Sequence, residues 1–341
     1  MQTGITGFLS MVAQGCTNCP HPVEQELAPL TKRIKIGVIG DPHVDIRGED
    51  GWRLGASSVS GLTTTVAVLN EKEPDLVLVP GDLLADGEQE NLDRAKAVLD
   101  RLHCPYLVVS GNHDYIPADR SRLRRGFNYL SSAEFVGAFT GHGYDDTGKL
   151  YWSQKMSAAG LRVIGLDGCL REEKIGWGGV LPQQQLAFLA HELQQATRRC
   201  IVMVHHSLLH WGDDGNSQKG RWYSLDNSAD VRRILEKYRH KVAMVISGHR
   251  HIGLRFQCRN GVPYFVVPSI NTYPLRYVML TLDAEGIGWR TFPVSVAEGC
   301  HEKARLGLLA SSSFAGLDEQ QKKKLLLFYE NSAQRTGFHP W

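Results

Sequence analysis

Five apolar runs in this chain end abruptly in residues that bind metals or move protons, and that repetition constrains the fold more than any other feature. Pro105–Val109 reads as a buried strand and stops at Ser110-Gly111-Asn112-His113-Asp114. Ile34–Gly40 stops at Asp41-Pro42-His43, and Asp75–Pro80 stops at Gly81-Asp82. Cys200–Val204 stops at His205-His206, and Val242–Ser247 at Gly248-His249-Arg250-His251. A buried strand ending in glycine and polar residues delivers them to the carboxyl edge of a sheet, where open α/β sheets build their sites. Any one of these stretches alone is as readily a polar turn. Five of them, in a chain of 341 residues with 14 histidines, are hard to produce by chance.

The segments between the runs connect them. Val59–Asn70 reads as a helix returning to the far edge of the sheet. Leu92, Ala95, Val98, Leu99 and Leu102 recur at helical spacing over Glu90–Leu102, which makes it a crossover helix. Strand–helix–strand twice over implies a parallel-leaning sheet. Leu161–Leu166 is a further strand ending in Asp167, a turn residue first and a brace for the site second. Pro182 opens a helix carrying Gln185-Leu186 and Phe188-Leu189, and Val231, Ile234, Leu235 and Tyr238 form an apolar helical stripe. Arg259-Asn260-Gly261, between Gly253–Cys258 and Val262–Val267, is a hairpin signal; Tyr277–Leu282 and Gly286–Pro293 form a second hairpin.

Three connections stand out. Asp45–Gly55 leaves the first strand end directly, so its Trp52 and Arg53 stand equally for a site wall and for plain surface. Arg120–Arg125 packs four arginines into six residues, more often a solvated face than a phosphate-facing lip. Gly141-His142-Gly143-Tyr144 has no strand leading in and no helix following, so it is not a phosphate loop.

With 42% hydrophobic and 22% charged residues, the chain suffices for a substantial two-sheet core in one domain, 34–298. A formal net charge of +2 excludes a general nucleic-acid binder. Seven cysteines, an odd number without disulfide-like spacing, point to reduced thiols and a cytoplasmic setting. Residues 1–33 read as a leader and linker. Gly4–Gly15 before Cys16 leaves export or lipid anchoring open, although Met1–Gly15 lacks Lys and Arg, and Cys16-Thr17-Asn18-Cys19 reads as free thiols. No apolar run is long enough to span a bilayer. Residues 299–341 read as a helical extension in which Leu317–Asn331 is a Lys-rich amphipathic helix.

The ordered set D-x-H, G-D, G-N-H-D, His-His after a strand and G-H-x-H resembles the calcineurin-like metallophosphoesterases, from about Ile34 to Pro274. Leu181-Pro182 followed by the Gln185–Leu189 helix is similar to the cyclic-nucleotide phosphodiesterase branch, although Ser207 stands where that branch usually has Pro. The resemblance implies an α/β fold: a four-layer αββα sandwich of two mixed β-sheets flanked by helices, with a metal site at the sheet ends. It also implies that Asp41, His43 and His251 hold one ion, that Asn112, His205 and His249 hold another, and that Asp82 bridges them. Adjacent strand residues point opposite ways, so only one of His205 and His206 faces the site, and the resemblance selects His205.

Two carboxylates, one amide oxygen and four imidazoles without a thiolate suit Mn, Fe, Zn or Ni ions, divalent or trivalent, better than Ca or Mg. Seven ligands exceed the needs of one tetrahedral ion, so two ions are expected. Two divalent ions leave the site cationic after two carboxylates and a bridging hydroxide, which attracts phosphate oxygens. His113 then stabilises phosphoryl charge or protonates the leaving alkoxide, and Asp114 holds its ring. The expected function is hydrolysis of a small-molecule phosphate ester by metal-bridging hydroxide. The ester is a phosphodiester such as a cyclic nucleotide, or a phosphomonoester. The alternative is a non-catalytic, metal-bearing scaffold or interaction module of the same fold.

Overall fold

The computed structural model describes residues 27–30, 32–171, 177–212 and 220–341; the leader with Cys16 and Cys19 lies outside them. Twelve strands occur among the described residues. They are β1 (Ile34–Val38), β2 (Leu76–Val79), β3 (Tyr106–Val108), β4 (Trp152–Met156), β5 (Leu161–Leu166), β6 (Cys200–Val204), β7 (Val242–Ser247), β8 (Arg255–Arg259), β9 (Val262–Val266), β10 (Arg276–Leu282), β11 (Gly286–Pro293) and β12 (Thr336–Pro340). The helices are α1 (Ser58–Lys72), α2 (Gln89–Leu99), α3 (Ser132–Ala138), α4 (Gln183–Gln195), α5 (Gly220–Tyr223), α6 (Ser228–Lys237), α7 (Cys300–Leu309) and α8 (Glu319–Glu330).

The strands form two six-stranded mixed sheets, β12-β11-β10-β1-β2-β3 and β4-β5-β6-β7-β9-β8. β1, β2 and β3 run parallel in the first sheet, as do β5, β6, β7 and β9 in the second. Because side chains alternate across a strand, β6 splits its run between two cores. Ile201 and Met203 face the core shared with the first sheet, α1 and α2. Cys200, Val202 and Val204 face the second core, where Leu186, Leu189 and Leu193 of α4 and Val231 and Leu235 of α6 cover the sheet. Each such leucine contributes about 1.5–3 kcal/mol through burial. The result is the four-layer αββα arrangement.

The Asn260-Gly261 hairpin forms as expected, with φ of 50° and 79° at the two turn residues and Arg259 paired with Val262. The C-terminal extension is more than helical, which corrects the sequence reading. After α7 and α8 the chain adds β12 to the edge of the first sheet, antiparallel to β11. Gly and Pro within Thr336–Pro340 masked that strand, yet both suit this edge. A Cβ at Gly337 would meet the Trp289 ring at 2.1 Å, and Pro340 is the last residue of the strand, opposite Gly286.

Candidate metal centre and cleft

The five loops converge at the carboxyl ends of β1, β2, β3, β6 and β7. Two groups of ligand atoms result: Asp41, His43, Asp82 and His251 in one, and Asp82, His205 and His249 in the other, with all atoms of a group within 4.8 Å of one another. Asp82 belongs to both. Five of these residues adopt left-handed backbone conformations, with φ of 42° at Asp41, 41° at His43, 51° at Asp82, 68° at His249 and 48° at His251. Non-glycine residues rarely adopt this region, and clustering there marks a site whose surroundings hold it under strain. Gly111 is required for a steric reason, since a Cβ there would meet Asp82 Oδ1 at 2.2 Å.

The imidazoles are oriented from behind. His43 Nδ1 faces the Leu84 carbonyl at 3.1 Å, and His205 Nδ1 faces the Pro80 carbonyl at 2.8 Å, tying the second sheet to the first. His249 turns its Nε2 to the Trp222 carbonyl. A nitrogen facing a carbonyl must carry the proton, so the opposite nitrogen of each ring offers a lone pair. Those lone pairs meet: His249 Nδ1 lies 3.1 Å from His205 Nε2, and His205 Nε2 lies 3.2 Å from Asp82 Oδ2. On the other side His43 Nε2 lies 2.9 Å from His251 Nε2 and 3.5 Å from Asp82 Oδ2. Acceptors crowded this closely call for a cation among them.

The same demand appears elsewhere in the site. Asp41 Oδ2, both amide atoms of Asn112 and His251 Nδ1 are buried without a hydrogen-bond partner among the described residues. Burial holds His43, His249 and His251 well below the usual imidazole range, which keeps them in the neutral form that binds metals. Burial also pushes Asp41 up to about 7. It works against charge on His205 too, but Asp82 and Asp41 outweigh it and lift His205 to about 9, so a proton takes the place a cation would fill. The donor set and its orphaned atoms therefore fit metal ions.

His113 lies over this centre. Its backbone N–H donates to Asp82 Oδ1 at 2.9 Å, and its Nδ1 meets the Ala85 carbonyl at 2.7 Å and Asp86 Oδ1 at 2.8 Å. The expectation that Asp114 orients this ring is corrected. The Asp114 carboxylate accepts from the Leu84 N–H at 2.9 Å and the Gly111 N–H at 2.7 Å, so it ties two strand-end loops together. Adjacent residues point apart, and Asp86 supplies the carboxylate instead. Arg122 binds Asp86 in turn, and Arg124 pairs with Asp45 and Glu88, so part of the arginine run faces acidic groups rather than solvent or a phosphate.

Other sequence candidates fall away from the centre. His206 Nε2 contacts the Trp177 carbonyl at 2.9 Å, outside both ligand groups. Asp167 binds Arg171 and accepts from the Cys169 N–H at 2.9 Å, as a strand-ending turn residue does. Ser207 Oγ accepts from Trp211 Nε1 at 3.0 Å and pins the loop that follows. Tyr144 of the glycine loop accepts from the Ser110 N–H at 2.9 Å and braces the β3 strand end.

A cleft of about 290 Å³ opens above Asp82, Asn112, His113, His249 and His251. Trp52 and Arg53 form part of its wall, so the Asp45–Gly55 loop does face the site. Trp177, Trp222, Tyr223, Arg250, Ser311–Ser313 and Tyr329 complete it, and of these the sequence motifs had included only Arg250, without a role. Asp86 was within reach of a sequence reading, since it follows Asp82 on the same strand-end loop.

Against known proteins, the profile of the family described as Calcineurin-like phosphoesterase matches residues 34–253. This chain belongs to that family. The chain is thus a metallophosphoesterase, a metal-binding hydrolase whose match covers all five strand-end loops. A probable cyclic nucleotide phosphodiesterase of Rhodopseudomonas palustris is 30% identical over 51% of this chain, and the match spans 57% of that relative, less than two thirds of its length. The 3',5'-cyclic adenosine monophosphate phosphodiesterase of Escherichia coli K12 is 24% identical over 76% of this chain and 84% of its own. A dimetal phosphatase from Danio rerio shares the fold with a TM-score of 0.56 and 18% identity, covering 79% of this chain and 100% of that one. Among the described residues, no helix is long and apolar enough to cross a membrane.

Proposed function

We propose that this metallophosphoesterase hydrolyses small phosphodiesters at a two-ion centre. The observation that carries the reading is Asp82, whose carboxylate belongs to both ligand groups and lies between His43 and His205. Asp41, His43 and His251 would hold one ion, Asn112, His205 and His249 the other, and Asp82 both. Bound there, Mn, Fe or Zn ions would supply Lewis-acid charge to the phosphoryl oxygens and acidity to the attacking water. The protein's own part is to exclude bulk water and place the ester. His113, its Nδ1 fixed by the Ala85 carbonyl and Asp86, presents Nε2 to the cleft and, once protonated on Nε2 as well, would give that second proton to the leaving alkoxide.

Two findings favour a diester of modest size. The cleft, at about 290 Å³, is on the scale of a small-molecule pocket. The relatives named above include phosphodiesterases for cyclic nucleotides, and a probable glycerophosphodiester phosphodiesterase of Arcobacter nitrofigilis is 27% identical over 62% of this chain. The test is metal analysis of the purified protein combined with a panel of cyclic nucleotides, glycerophosphodiesters and monoesters. Two ions per chain and faster turnover of a diester are the expected results. No turnover of any ester by the metal-loaded protein would overturn the reading, and a monoester preference would overturn the substrate class.

A further inference from the structure

We propose that Arg53 is a phosphoryl-binding residue of this cleft: a cation supplied by the protein, additional to the metals, that grips a non-bridging oxygen of the substrate. The inference rests on the phosphoesterase reading of the same site. Arg53 sits on the loop between β1 and α1 and lines the cleft with Asp82, Asn112, His113 and His249. Its Nη2 lies 3.1 Å from His113 Nε2. With the acceptors Ala85 O and Asp86 Oδ1 at His113 Nδ1, the neutral ring carries its proton there, so Nε2 accepts from Arg53.

The neighbouring Arg53 Nε is buried and has no partner among the described residues. Nε and Nη2 form one edge of the planar guanidinium, a fork whose spacing matches the oxygens of a phosphate or carboxylate. One tooth of that fork rests on the candidate acid, and the other meets no acceptor among the described residues. A buried, unsatisfied N–H is costly to maintain, and a phosphoryl oxygen in the cleft would satisfy it. Charge points the same way, since hydrolysis builds negative charge on the phosphoryl oxygens, where a positioned cation acts most strongly.

The loop holds Arg53 in place before any ligand arrives. The Gly51 N–H donates to the Arg53 carbonyl at 2.8 Å, the Leu54 N–H to the Asn271 carbonyl at 3.0 Å, and Arg53 bridges to Thr272. Behind the loop, α7 packs so closely that a Cβ at Gly307 would meet the Gly51 carbonyl carbon and the Trp52 nitrogen at 2.5 Å. The segment that follows the family match therefore helps aim this guanidinium.

The test uses the metal-loaded full chain and inorganic phosphate as the probe. Arg53→Gln should retain both metals and weaken inhibition by phosphate about ten- to a hundredfold, the range for a lost charge-assisted hydrogen bond. KM for a hydrolysed ester should rise in parallel. Arg53→Lys should recover part of the affinity, because it restores charge without the fork. Wild-type phosphate inhibition in Arg53→Gln with metals retained would overturn the inference while leaving the phosphoesterase reading intact. Loss of metal from both variants would also overturn it, assigning the side chain to building the centre. If Arg53→Gln fails to fold, Arg53→Lys decides alone: weakened phosphate inhibition supports the inference and wild-type inhibition contradicts it. A wild-type protein that turns over no ester would instead sink the underlying reading.

Discussion

The floor of the cleft and its wall are assembled in different ways. The floor comes from five short loops at the ends of parallel strands. Asp41, His43, Asp82 and His205 are each no more than 1% exposed there, and several ligands are held in left-handed backbone conformations. The wall comes from segments far apart in the chain, and two of its aromatic members stand open: Trp52 is 38% exposed and Trp177 40%. Three floor histidines, His43, His205 and His249, have both ends of the ring committed, one nitrogen to a carbonyl and one to the centre. Wall residues meet one another, as Trp177 meets Trp222 edge to face at 5.3 Å, and lean on the floor from outside, as Trp52 stacks on His251 at 5.3 Å. The difference separates duties: the floor fixes the chemistry and tolerates no displacement, whereas the wall sets which ester fits and should change by degrees.

Replacing floor residues should therefore produce the largest effects. His113→Ala is expected to keep both metals and lose about 10²–10⁴-fold in kcat on an ester with a poor leaving group, the usual contribution of general acid catalysis. The loss should shrink on an activated aryl ester, whose leaving group needs no proton. Equal losses on both, or loss of metal, would move His113 out of the acid role. Asp86→Asn should give a smaller form of the same pattern, on the order of 10–100-fold, because it loosens the ring's orientation without removing it. Asp114→Asn tests the correction made above. It should act on stability, by about 1–3 kcal/mol, because it compromises a carboxylate buried against two amide N–H groups. A leaving-group-dependent loss of kcat in Asp114→Asn would restore its role at the ring.

The wall should respond more mildly. Trp177→Ala is expected to raise KM for a cyclic nucleotide roughly tenfold, as loss of one stacking surface does, while kcat and metal content stay near wild type. A kcat loss as large as that of His113→Ala would erase the distinction between floor and wall.

The same division explains what the sequence made legible. Every floor residue sits within a few positions of an apolar strand, and a strand delivers its last residues to a defined edge, so Asp41, Asp82 and His249 could be placed without coordinates. The left-handed conformations at these residues were not legible, because Asp and His give no conformational signal of the kind glycine gives. Asp114 was misassigned for a local reason: being next to His113 in sequence turned its carboxylate toward the Leu84 and Gly111 amides. The wall was legible only at Trp52 and Arg53, which leave a strand end directly. Ser311–Ser313 and Tyr329 reach the cleft through the packing of α7 and α8, a long-range event that no local pattern records. β12 stayed hidden because its Gly and Pro argue against a strand everywhere except at an edge.

The central claim is that one carboxylate serves two ions, and counting metals in Asp82→Ala tests it most directly. Native mass spectrometry or elemental analysis of the wild-type chain should find two ions, and the Asp82→Ala variant, still folded by circular dichroism, should retain neither at full occupancy. A variant that keeps one ion fully bound would contradict the shared carboxylate and leave two independent sites in its place.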